Sequence, residues 1–297
     1  MSLVLNNLLK VFKPYLESGA NEIAISNEKK VFIDRNGDWS LEINEALNTS
    51  FLTNFAIELA NSRGVLFDKK HPTLSTSLPN TNYRVQILHS SILNNQDIQI
   101  NIRIPNNTVF GIESFALAKD LKYGYEDLKQ FVRDRKNILI NGGTGSGKTS
   151  LLNSLLKEVD IKERIVIIED SPEIYIKNHN KTQILVNKND DGKFNYIDGI
   201  NSAMRLSPQR LILGELDTRN TLPFLRLNNT GHKGNISTLH ANSAKDTLGA
   251  ITINASFHYQ ISKDVLQEYI MQGVDYIIQI SKIEGKRVIC EVIKYEK

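Results

Sequence analysis

Eight consecutive residues, Gly142–Thr149, match the phosphate-binding pattern G-x-x-x-x-G-K-[ST] at every fixed position. Its glycines permit backbone turns that side chains would forbid, so successive N–H groups can converge on one anion. Lys148 can reach the β- and γ-phosphates, and the hydroxyl of Thr149 suits a Mg²⁺ ion. The pattern predicts a nucleoside triphosphate site formed by Gly142, Gly143, Thr144, Gly145, Ser146, Gly147, Lys148, Thr149 and Ser150.

The residues around this loop favour a functional site over a chance glycine-rich turn. Ile138–Ile140 is a short apolar run, as expected of a buried parallel strand. After the loop, leucines recur at helical spacing from Leu151 to Leu156. The loop should therefore open a helix whose N-terminus faces the phosphates.

Three further apolar runs end in residues suited to phosphoryl transfer. Ile165–Ile168 leads into Glu169, Asp170 and Glu173, Leu211–Leu213 leads into Glu215, and Ile236–Leu239 leads into His240. In open α/β sheets ligands bind at the carboxyl ends of the strands, so these side chains should meet around the loop. A single carboxylate there is usually a cap or a surface charge, and His232 or His240 alone would usually be structural. The combination predicts hydrolysis, with one carboxylate supporting Mg²⁺ and another positioning water.

The two halves of the chain differ in pattern. Residues 1–107 lack strand–helix alternation and combine helical stripes with period-two strands such as Ile98–Ile104, which predicts an α+β domain. Asn36-Gly37 predicts a hairpin turn. Residues 108–123 read as a linker, and 124–297 alternate apolar runs with helical patterns, as a mostly parallel α/β sheet does.

Composition narrows the class of protein. Among 297 residues, 40% are hydrophobic and 23% charged, which is typical of globular domains, and no apolar run is long enough to span a membrane. The start lacks the features of a signal peptide, and one cysteine excludes a disulfide framework. We therefore expect a cytoplasmic protein. A formal charge of +3 argues weakly against direct nucleic-acid binding.

Four segments in order carry a resemblance to the traffic ATPases of the secretion superfamily, above all the VirB-type ATPases of type IV secretion systems. They resemble that family's Walker A, Asp, Walker B and His boxes: Gly142–Thr149, Glu169–Glu173, Arg205–Leu216 and Thr230–Ala244. The last two are long and specific. The resemblance implies a RecA-like P-loop ATPase domain after the N-terminal α+β domain.

The same resemblance implies further properties. It implies a homohexamer that binds ATP and Mg²⁺, with Thr149, Glu169 and Asp170 near the metal and Lys148, Glu173, Glu215 and His240 as catalytic residues. By position Arg84 and Arg103 match two arginines that reach the nucleotide from the N-terminal domain. The family docks to inner-membrane secretion proteins, which implies a peripheral location on the cytoplasmic face.

Some residues depart from the family, and some alternatives stay open. Gly214 stands where other P-loop ATPases carry a metal-binding Asp, so the division of roles between Glu173 and Glu215 is undecided. Asp217 and Asn220 replace the family's usual Arg and Glu, which leaves local ion pairing uncertain. The rival functions are a type II secretion or retraction-like pilus motor, a non-hydrolysing nucleotide-dependent scaffold, and a nucleic-acid motor.

Overall fold

Two units make up the chain, Met1–Asn107 and Thr108–Lys297. The structure, a computed structural model, describes residues 2–35, 37–105, 109–186, 194–258 and 260–295. Asn36 of the predicted hairpin turn and the predicted boundary at residue 107 lie outside the described residues.

The first unit is an antiparallel sheet covered on one face by two helices. Its sheet has the order β3-β2-β1-β6-β5-β4. The elements are α1 (Leu3–Leu16), β1 (Glu22–Asn27), β2 (Lys30–Arg35), β3 (Asp38–Ile43), α2 (Thr49–Ser62), β4 (Thr73–Ser77), β5 (Arg84–His89) and β6 (Ile98–Arg103).

Buried apolar residues alternate with more exposed ones along the strands, and the buried face of the sheet forms the core of this unit. Ile98, Ile100 and Ile102 of β6 are buried, whereas the residues between them are partly exposed. One face of the sheet thus joins the helices in a single apolar cluster, in which the rings of Phe12 and Phe55 are 4.6 Å apart. The sequence pattern does not predict β4, because Thr73–Ser77 is mostly polar and lies at the sheet edge.

The second unit is an eight-stranded sheet with the order β10-β9-β11-β12-β8-β13-β14-β7. Its strands are β7 (Ala116–Leu117), β8 (Ile138–Asn141), β9 (Ile165–Glu169), β10 (Lys181–Leu185), β11 (Arg210–Leu213), β12 (Ile236–Leu239), β13 (Tyr276–Ile283) and β14 (Lys286–Lys294). Its helices are α3 (Tyr125–Arg133), α4 (Lys148–Leu155), α5 (Tyr196–Met204), α6 (Thr221–Asn229), α7 (Asp246–Ser256) and α8 (Lys263–Gly273).

Apolar clusters cover both faces of this sheet. Ile138 and Ile140 of β8 belong to one cluster, and Leu139 between them belongs to the other. Strands β9, β11, β12, β8 and β13 run parallel, so their carboxyl ends meet at one edge, while β14 returns antiparallel to β13. Burial on both faces explains why these strands are continuous apolar runs.

The predicted linker over residues 108–123 needs correction. Within it, Ile112 and Phe115 are buried in the core of the second unit, and β7 pairs in parallel with β14. Two buried apolar side chains and a sheet edge therefore hold part of this segment in the second unit.

The helical content between the motifs was largely unpredicted. The sequence pattern does not predict α5, α6 and α7, because their buried apolar residues are mixed with buried polar ones such as Asn228 and Thr247. No helix among the described residues is long and apolar enough to cross a membrane.

Arg210, the first residue of β11, is fully buried in a polar cluster. Its guanidinium donates to both carboxylate oxygens of Glu163, at 2.8 and 3.0 Å, and to the carbonyl of Val132. A further bond reaches the carbonyl of Gly234, where an added Cβ would lie 2.6 Å from the guanidinium. Arg210 thus links α3, the turn before β9 and the turn before β12.

We expect Arg210→Met to lower the free energy of unfolding by about 3 kcal/mol, because it leaves the Glu163 carboxylate with only the longer 3.7 Å ion pair to Arg135. Urea unfolding followed by circular dichroism measures this. Arg133→Met is the matched control: its ion pairs with Glu126 and Glu158 are half exposed, and its loss should cost about 1 kcal/mol or less. Equal losses in the two variants would contradict the assignment.

Candidate nucleotide site

The Gly142–Thr149 loop follows β8 directly and ends in α4, as predicted. Gly145 and Gly147 have φ of 72° and 101°, which L side chains rarely adopt. At Gly142 an added Cβ would lie 2.3 Å from the carbonyl oxygen of Ile280 in β13. The loop is therefore a concave turn whose shape depends on glycine, at the N-terminus of a helix.

Lys148 lies at the centre of this turn and is only 8% exposed. Its ammonium donates to the carbonyls of Gly142 and Gly143, both at 2.9 Å. Burial lowers the pKa of Lys148, and the carboxylate of Glu215 opposes that shift. The side chain is thus held beside the loop at a point where further negative charge would stabilise it.

His240 connects Lys148 to Glu215. Its Nδ1 is 3.3 Å from the Lys148 ammonium, and its Nε2 is 3.9 Å from a carboxylate oxygen of Glu215. An ammonium can only donate, so Nδ1 accepts and the ring proton of a neutral His240 is on Nε2, facing Glu215. The second distance exceeds that of a hydrogen bond but lies within the range of an ion pair.

Glu169, expected near the metal, is buried and accepts several hydrogen bonds. One carboxylate oxygen accepts the backbone N–H groups of Glu173 and Ile174, at 2.8 and 3.0 Å, and the other accepts from Gln183 at 3.3 Å. Burial raises the pKa of Glu169 to about 7 despite the two amides. This geometry gives Glu169 a structural role in the turn that carries Asp170 and Glu173.

Glu173 is held beside the phosphate-loop helix. Asn153 of α4 donates to the carbonyl of Glu173 at 2.8 Å and accepts the N–H of Tyr175 at 2.9 Å. Asp170 accepts the hydroxyl of buried Tyr196 at 3.4 Å, and burial raises the pKa of that tyrosine. The turn after β9 is thus bonded to both α4 and α5.

The segment after β11 has its own local ion pair. Asp217 accepts the guanidinium of Arg219 at 2.7 Å and the backbone amides of Arg219 and Asn220. The side chain of Asn220 donates to the carbonyl of Glu215 at 3.0 Å. The departures from the family at 217 and 220 therefore form an alternative network that supports Glu215.

The remaining candidates lie in different parts of the molecule. His232 precedes β12 and lies at the opposite end of that strand from His240, near Thr230. Arg84 of β5 and Arg103 of β6 belong to the first unit, where they are directly opposite each other on adjacent strands. Their predicted role at the nucleotide stays a prediction.

Two buried amides that the sequence analysis overlooked tie the His240 segment to the phosphate-loop strand. Asn141 donates to the carbonyl of Ser243 at 2.8 Å and to the hydroxyl of Thr247 at 2.6 Å. Gln279, beside it in β13, donates to the carbonyl of Asn242 at 3.3 Å. A polar residue within or at the end of an apolar strand is the signal that could have identified both.

Comparisons with known proteins agree with this geometry. Residues 61–273 match the family described as Type II/IV secretion system protein. The chain is 27% identical to the type IV secretion system protein VirB11 of Bartonella henselae, covering 98% of this chain and 93% of that protein.

Two solved structures share its fold. The VirB11 ATPase of Brucella suis in complex with sulphate has a TM-score of 0.52 at 22% identity, covering 98% of this chain and 97% of that one. The pilus retraction motor PilT with bound ADP has a TM-score of 0.70 at 19% identity, covering 97% and 83%.

The raised pKa of Glu169 predicts a pH-dependent stability. A carboxyl with a higher pKa in the folded state stabilises the fold while protonated, so this contribution is complete below about pH 4.5 and is lost as pH rises through about 7. We expect Glu169→Gln, which does not titrate, to gain up to about 3 kcal/mol relative to the native chain between pH 5 and pH 8. Urea unfolding at both pH values measures this. Parallel stability profiles would show that Glu169 ionises normally.

Proposed function

The chain belongs to the Type II/IV secretion system protein family, and on that premise we propose that it is a Mg²⁺-dependent ATPase that energises a type IV secretion system. Near full-length similarity to VirB11 supports this assignment within the family. The observation that carries it is the cluster of Lys148, His240 and Glu215 beside a glycine-dependent phosphate loop.

The loop fits the phosphates of a nucleotide. Its left-handed glycines and the first turn of α4 provide converging N–H groups, and Lys148 provides the charge. The hydroxyl of Ser146 is buried, and no described residue bonds to it. A bound phosphate would supply the missing acceptor.

A Mg²⁺ ion that accompanies a nucleotide takes most of its ligands from phosphates and water, with one or two from the protein. We propose Thr149 and Asp170 for this role, because Glu169 is buried and both of its carboxylate oxygens accept protein hydrogen bonds. When bound, the ion neutralises phosphate charge. Within the described ranges, no three His, Cys, Asp or Glu side chains cluster as a metal site.

We assign the positioning of the attacking water to Glu215, with His240 as its partner. Their side chains face each other at 3.9 Å, so a water beside the pair can hydrogen-bond to both groups. Lys148 then stabilises charge on the β- and γ-phosphates, while the hydrogen bond it donates keeps His240 oriented. Glu173, held by its backbone to α4, is the second carboxylate of the site.

Arg84 and Arg103 are proposed to contact the nucleotide as arginine fingers. Because Arg84 and Arg103 are directly opposite each other on adjacent strands, the two cations lie close enough to act on one anion.

We further propose that the protein acts as a homohexamer, peripheral to the cytoplasmic face of the inner membrane and docked to secretion-complex proteins there. These properties are typical of the family that the motifs resemble. A retraction-like pilus motor is the alternative that the fold also fits, since PilT shares it. Sequence similarity to VirB11 over almost the whole chain favours type IV secretion.

Two variants should distinguish the loss of nucleotide binding from the loss of hydrolysis. Lys148→Ala should lose ATP binding, because the loop loses its cation, and Glu215→Gln should bind ATP yet lose about 10²-fold or more in hydrolysis rate. Calorimetric titration and a phosphate-release assay measure the two effects. A Glu215→Gln protein that hydrolyses ATP at the native rate would favour the scaffold function instead.

If Arg103 is an arginine finger, Arg103→Ala should reduce kcat by about 10³-fold or more. Arg35→Ala removes a charge from the same sheet at β2 and serves as the control.

The molecular mass measured by light scattering with and without ATP–Mg²⁺ tests the proposed homohexamer. A monomer in every condition, or full activity of Arg103→Ala, would exclude the corresponding proposal.

A further inference from the structure

The order of strands in the sheet indicates the orientation of a nucleotide bound at the phosphate loop. Glu215 and His240 follow β11 and β12, which lie on one side of β8 and its phosphate loop. The reacting γ-phosphate must face these residues and Lys148. The other end of an extended nucleotide, with its α-phosphate and nucleoside, therefore points to the opposite side of β8, where β13 and β14 form a hairpin.

Arg287, near the tip of that hairpin, leans against the phosphate loop. A Cβ added to Gly147 would lie 2.8 Å from Cδ and 2.9 Å from Nε of Arg287. The guanidinium carbon is 5.6 Å from the centre of the Phe110 ring, within the range of a cation–π contact. The aliphatic part of the Arg287 side chain thus packs on Gly147, the residue that precedes α4, and its guanidinium contacts the ring of Phe110.

The positive charges of Arg287 and a neighbouring lysine favour the binding of an anion. Lys282 of β13 lies directly opposite Arg287 in the hairpin register, so two cations share one face of the ribbon. Such a pair is unfavourable in a sheet unless an anion lies near it. Among the residues that the structure describes, neither Arg287 nor Lys282 forms an ion pair with a carboxylate.

We propose that Arg287 is a nucleotide-binding residue that contacts the α-phosphate at the nucleoside end of ADP and ATP alike. This inference rests on the proposed function, since it assumes that a nucleotide occupies the Gly142–Thr149 loop. An ion pair with the α-phosphate contributes equally to both nucleotides and to the ground and transition states. It raises affinity and leaves the chemical step unchanged.

Arg287→Met keeps a stem that packs on Gly147 and removes the charge, whereas Arg287→Lys keeps the charge. Titration calorimetry should show that Arg287→Met weakens ADP and a non-hydrolysable ATP analogue by a similar factor, about tenfold to a hundredfold. Arg287→Lys should retain most of the affinity. In the ATPase assay KM should rise while kcat stays unchanged.

Lys286→Met, beside Arg287 but on the other face of β14, is the charge-matched control and should bind ADP as the native chain does. A melting curve by circular dichroism checks that each variant is folded. Native affinity in Arg287→Met overturns the assignment, as does weakening of the ATP analogue alone, which would indicate a γ-phosphate contact. If the native chain itself fails to bind ADP, the proposed function falls together with this assignment.

Discussion

A lysine ammonium buried at the edge of a parallel sheet is the constraint on which the site depends. Removing such a charge from water is costly unless polar groups surround it. Here two carbonyls of the phosphate loop, the ring of His240 and the nearby carboxylate of Glu215 supply that environment. Each comes from a different turn, so the position of Lys148 requires three turns to be correctly placed at once.

The framework around this charge is built from buried polar groups that bond to backbone. Glu169 organises the turn after β9, Asn220 supports Glu215, and the amides of Asn141 and Gln279 anchor the segment that follows His240. Each of these bonds fixes the position of a buried side chain, because a displacement would leave a donor or an acceptor without its partner. They hold in place the side chains that surround the phosphate loop.

The sheet also gives the site two functional sides. Residues that follow β11 and β12 gather the groups suited to hydrolysis, while the β13–β14 hairpin offers cations and an aromatic contact beyond the loop. We infer that the β11–β12 side supports hydrolysis and that the β13–β14 side raises the affinity for the nucleotide. Arg287 lies far along the chain from every motif, and the fold brings it next to Gly147.

The sequence by itself determined the phosphate loop, the four strands that end at the site, the family, and most elements of the first unit. Those features depend on local spacing and on apolar runs, which neighbouring residues alone dictate. Tertiary structure decided the rest. It drew Ile112 and Phe115 into a core, turned Glu169 away from solvent, separated His232 from His240 and brought Arg287 to the loop. Each of these depends on which strands become neighbours, and strand order is set by packing between residues distant in the chain.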